Sequence, residues 1–121
     1  MRQMTTSNDL QVEQIDSLVD AAGLDGTRDI MDAFWRSTQS LLSEMETHLS
    51  AANFGETIKS AHSLKGSAAN IGAVKLAATA SAIETACRSE DLQNAGESLT
   101  LAREDFAKTR ASIEARLDAI K

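Results

Sequence analysis

The stretch NFGETIKSAHSLKGSAANIGAVKLAATASAIETACR, residues 53–88, holds two helices and the stop between them. Asn53 is a residue type that caps a helix N-terminus. After it, Phe54, Ile58, Ala61, Leu64, Ala68 and Ile71 recur at three- and four-residue spacing, the mark of one buried helix face. Gly72 stands where that helix should end, because glycine enters a left-handed C-terminal cap without penalty. A second helix follows at once over residues 73–88, with Leu76, Ala80, Ile83 and Cys87 on one side. So short a connection turns the chain back on itself, and the two helices should pack antiparallel.

The pattern extends both ways. Upstream, residues 26–51 read as a helix about 38 Å long at roughly 1.5 Å per residue. Ile30, Phe34, Leu41, Met45 and Leu49 form its stripe, with Leu24, Trp35 and Leu42 at the margins. Before it, Gly23 ends a shorter helix over residues 9–22, with Asp9 as N-cap and Val12, Ile15, Leu18 and Val19 on one side. Downstream of the polar break Ser89-Glu90-Asp91, the positions Leu92, Ala95, Leu99, Ala102, Phe106, Ile113, Leu117 and Ile120 continue a stripe nearly to the C-terminus. Gly96 weakens that helix without ending it. The expected fold is all-α, an antiparallel up-down four-helix bundle with a short N-terminal capping helix. Residues 1–8, polar and unpatterned, are expected to be a flexible N-terminus, and residues 9–121 one domain.

Composition narrows the function classes. The 121 residues are 42% hydrophobic and 25% charged, with no proline or tyrosine, which fits one soluble helical domain. No apolar run approaches the ~20 residues needed to cross a bilayer. A net charge of −6, with three Phe and one Trp, argues against a grip on nucleic acid or anionic membrane. Cys87 is the only cysteine, and the N-terminus lacks a secretory apolar segment, so a reducing cytoplasm is the expected compartment. There is no HxxxH, CxxC or ExxH spacing for a metal, and no GxxxxGK[ST] or GxGxxG loop for a nucleotide. No metal site, no kinase site of its own and no bound cofactor are expected.

Chemistry then concentrates on the third helix. At ~100° per residue, His62 lies roughly 110° from the core direction, beside the apolar stripe and accessible. Gly66 and Ala69, at i+4 and i+7, share its flank and leave the approach open. A mid-helix glycine costs about 1 kcal/mol against alanine, so its position there marks a surface that another molecule must approach closely. Lys59 and Lys65, at i−3 and i+3, place two cations near one histidine of an otherwise acidic chain. Neutral imidazole is a good nucleophile near pH 7, and a hydrogen bond to one nitrogen selects the other. Glu84, about 70° from the core direction of the next helix, is the candidate for that bond.

The string HSLKGSAANIG, with HxxKG followed by small residues and Gly72, closely resembles the motif of histidine phosphotransfer domains. The resemblance spans residues ~10–120, through the long preceding helix, Ala61, the LAATASAIE segment ending at Glu84 and the last helix with Phe106. It implies that His62 receives a phosphoryl group, that Lys65 lies by the phosphate and that Gly66 lets a receiver domain approach. Glu84 matches a position that holds Glu or Gln near the histidine in several members. Lys59, Ser63, Gly66, Ala69 and Asn70 are the expected partner-binding residues. The implied partners are response-regulator receiver domains, which carry Mg²⁺ in their own site, and a histidine kinase, hybrid kinases included; the chain itself is expected to be a monomer. Two alternatives stand beside the relay reading: a phosphoacceptor domain cut from a larger histidine kinase, and a docking module that is not phosphorylated. His48 lacks the small-residue flank, and a structural or solvent role is expected for it.

Overall fold

The computed structural model describes residues 12–120, nearly all in four helices: α1 (Val12–Ser50), α2 (Phe54–Asn70), α3 (Val74–Arg88) and α4 (Leu92–Ala119). The Asp9 cap and the flexible first eight residues lie outside the described residues. α1 joins the two upstream helices of the sequence reading. Gly23, at φ 78 and ψ 169, is the point where its backbone leaves helical geometry, and L side chains are excluded from that conformation. The Thr27 hydroxyl donates to the Gly23 carbonyl at 2.8 Å, tying the first turn after the kink to the residue that makes it. The segment before the kink covers one end of the bundle. Gln14 Nε2 donates to the Asn70 carbonyl at 3.3 Å, and Arg116 grips Asp16 through two bonds of 2.9 and 2.7 Å.

The connections 51–53, 71–73 and 89–91 share one construction. The N–H of the third residue donates to the carbonyl five positions back: Asn53 to His48, Ala73 to Ala68 and Asp91 to Ala86, at 2.8, 2.9 and 2.9 Å. The middle N–H donates three positions back, from Ala52 to Leu49, Gly72 to Ala69 and Glu90 to Cys87. This is the Schellman closure of a helix C-terminus, and it needs a left-handed middle residue. Ala52, Gly72 and Glu90 adopt φ of 54, 80 and 54°. Two of the third residues also cap the next helix, Asn53 accepting from the Glu56 N–H and Asp91 from the Asn94 N–H. A left-handed L residue costs roughly 1–2 kcal/mol. Ala52→Gly and Glu90→Gly are therefore expected to raise stability by about 0.5–1 kcal/mol each, after the greater unfolded-state freedom of glycine is discounted. Urea denaturation checks this as a higher midpoint at unchanged slope.

The three-residue turns fold each helix back on its predecessor, and the two side-chain pairs between α1 and α4 run in antiparallel order. Arg28 meets Asp118 and Glu46 meets Arg103 between α1 and α4; Lys65 meets Glu84 between α2 and α3. Each helix packs on two neighbours: α1 and α3 both lie between α2 and α4.

The face that α1 buries differs from the expected stripe. Thr27, Met31, Phe34, Trp35, Thr38, Leu42, Met45 and Leu49 are buried, while Ile30 is 41% exposed and Leu41 half-buried. Trp35 sets the rotation. Its ring meets Phe34 and Phe106 edge-on at 5.3 and 5.9 Å, and the Arg110 guanidinium covers it at 5.4 Å. Thr27 and Thr38, both buried, complete the stripe. At the ends of α4, Leu92 is 48% exposed and Ile120, just past the helix, half-buried, because the bundle covers its ends only in part. Asp105, inward on α4, accepts the Thr79 hydroxyl of α3.

Candidate functional site

The burial of Ala61, Leu64 and Ala68, each fully enclosed, fixes the rotation of α2. His62 is thereby turned outward, its side chain 69% exposed. Ser63, Gly66, Ala69 and Asn70 are exposed as well, so the expected open approach is present. A Cβ built on Gly66 meets nothing within 4 Å, so no internal contact requires glycine there.

Glu84 reaches this surface from α3, its side chain only 9% exposed. Its Oε1 accepts from Lys65 Nζ at 3.1 Å and its Oε2 from Arg88 Nη2 at 2.6 Å. Oε2 also lies 3.7 Å from His62 Nδ1. That separation exceeds a hydrogen bond; contacts of catalytic groups commonly tighten on engagement. With Nδ1 toward the carboxylate, Nε2 is the nitrogen presented outward.

The bonds from Arg88 and then Lys65 outweigh the effect of burial and hold the Glu84 carboxyl well down, from 4.5 to about 2. Glu84 is thus an anion throughout the neutral range. Because the folded-state value is depressed, the stabilisation is complete above about 4.5 and is lost as pH falls toward about 2. Wild type is expected to exceed Glu84→Gln by roughly 1–2 kcal/mol at neutral pH. Thermal melts of the two proteins should show that gap shrinking between pH 4.5 and 2, the other carboxylates cancelling in the difference.

Two features depart from the sequence reading. Lys59 does not join the cluster: it is exposed and pairs with Glu56 at 3.0 Å, its neighbour one turn back. Arg88, in the last turn of α3, takes the place of the second cation. Its i,i+4 spacing from Glu84 was visible, but such pairs are ordinary on helix surfaces. Only the packing of α3 on α2 brings this one to His62. Cys87, beside it, is buried in the core. Among the described residues no group of three or more His, Cys, Asp or Glu could hold a metal ion, and no helix is long and apolar enough to cross a membrane.

An outward Nε2, a carboxylate behind Nδ1 and two cations at the flank equip the site to take up an electrophilic, anionic group. Comparison with solved structures finds the same architecture. Histidine-containing phosphotransfer protein B of Pseudomonas aeruginosa aligns over 96% of this chain and all of its own, with 24% identity and a TM-score of 0.86. A putative histidine-containing phosphotransfer protein from rice aligns over 90% of this chain and 79% of its own, with 24% identity and a TM-score of 0.78. At such identities the likeness speaks to the fold. Among curated proteins, none matches the sequence. The Hpt domain profile matches residues 29–121, three helices and most of a fourth, and on that ground the chain belongs to the Hpt domain family, the histidine phosphotransfer domains of phosphorelays.

Proposed function

We propose that the chain is a cytoplasmic relay intermediate in which His62 accepts a phosphoryl group from a receiver-domain aspartate and passes it to another receiver. The observation that carries this reading is the outward Nε2 of His62 beside the open flank of Gly66, with Glu84 behind Nδ1. Nε2 attacks phosphorus in line; the N–P bond forms as the P–O bond to the aspartate breaks, and the carboxylate leaves with the electron pair. The ring gains a positive charge with its proton held on Nδ1, and the Glu84 carboxylate faces that charge. Lys65, one turn from His62, is the cation that would compensate the phosphoryl oxygens. The reverse attack by a second aspartate regenerates neutral imidazole.

Such transfer demands positioning and charge compensation more than covalent work by the scaffold. The receiver would supply the Mg²⁺ and the aspartate, and this chain the positioned nucleophile, with no kinase site or bound cofactor of its own. Ser63, Gly66, Ala69 and Asn70 form the surface on which the receiver would sit, and a histidine kinase would feed the relay through a receiver. Incubation with a panel of phosphorylated receiver domains tests the reading. Acid-labile, alkali-stable phosphate should appear on the chain and return to unphosphorylated receivers; a chain that stays unlabelled with every donor overturns it.

A further inference from the structure

Glu84 holds two cations where one would neutralise it, and the two differ in what they can do. Lys65 is a compact ammonium on a flexible stem, 38% exposed, one turn from His62 on the same helix. Arg88 makes the shorter bond, from the same helix as Glu84 and four residues on, where a cation also suits the helix C-terminus. We propose that Arg88 is a positioning residue that anchors Glu84 and so frees Lys65 to move from the carboxylate to the phosphoryl group on His62.

This rests on His62 as the phosphoacceptor. In the resting state Lys65 Nζ sits on Oε1, and it reaches an incoming phosphoryl group only by leaving that bond. Were Arg88 absent, its departure would strand a nearly buried carboxylate without a cation, opposite a second anion. With Arg88 on Oε2, the carboxylate keeps one partner throughout, and Oε2 stays on the Nδ1 side of the ring. One cation is the anchor and the other travels.

The test is a double-mutant cycle on the intact chain with phosphoramidate, a small phosphoryl donor to histidine that removes receiver docking from the measurement. Arg88→Gln should slow phosphohistidine formation and shorten its lifetime, each by roughly tenfold, the loss of one charge-assisted hydrogen bond. Arg88→Lys should recover most of the loss. Arg88→Gln should cost far less on a Glu84→Gln background than in wild type, because no carboxylate is then left to retain Lys65. Imidazole nitrogen shifts in NMR should show a weaker Nδ1–H preference in Arg88→Gln, which a merely structural role would leave unmoved. Wild-type rates in Arg88→Gln, or an Arg88→Gln loss equally large with and without Glu84, overturn the anchoring role while leaving His62 as acceptor. Wild type that takes no phosphate on His62 removes both readings.

Discussion

His62→Gln is expected to abolish phosphate uptake while leaving the bundle as stable as wild type. The two halves of that outcome follow from one observation, that the imidazole is 69% exposed and turned away from the core. Removing it opens no cavity, and glutamine is at least as good a helix former, so a stability change within about 0.5 kcal/mol is expected. Glutamine also keeps an amide that can donate to Glu84, and the Lys65 and Arg88 pairs need not rearrange. What it lacks is the nucleophilic nitrogen. Urea denaturation and labelling by a phosphorylated receiver measure the two halves separately, and undiminished label on a folded His62→Gln chain would remove His62 from the mechanism.

Gly66→Arg has the second largest expected effect, and its signature is a split between donors. Since a Cβ at this position meets nothing within 4 Å, the new side chain projects into solvent. Replacing a mid-helix glycine by a good helix former is expected to stabilise the protein by about 0.5–1 kcal/mol. The same side chain stands one turn from His62, where a receiver donating to that histidine would approach. A steric block at the centre of an interface is worth about 2–3 kcal/mol, so transfer from a phosphorylated receiver should slow on the order of a hundredfold. Labelling by a small donor such as phosphoramidate should change little, because it needs no broad surface. Equal slowing with both donors would mean that Gly66 serves the histidine itself.

Helix ends were legible in the residues because their signals are local. Asn53 caps α2 and Gly72 closes it through hydrogen bonds that reach no further than five residues, so their chemistry is written where they act. The turns at Ala52 and Glu90 use the same geometry without glycine, and there the bundle forces what the residue type disfavours. The rotation of α1 was not legible. Ile30 and Trp35 satisfy helical spacing about equally, and the choice fell to Phe106, some seventy residues away in sequence on α4.

The site divides along the same line. That His62 is a turned-out histidine with Gly66 and Ala69 on its flank follows from 100° steps around a single helix, and the sequence alone determined it. Which charges surround it did not follow, since side chains one turn apart choose among several partners. Lys59, at the right spacing from His62, is held by Glu56, equally well spaced on its other side. Glu84 and Arg88 join His62 and Lys65 only because α3 returns antiparallel beside α2, in a register set by the left-handed turn at Gly72 and by small residues in the core between them. The nucleophile is thus a property of one helix, and its electrostatic setting, which decays over a few ångströms, a property of two.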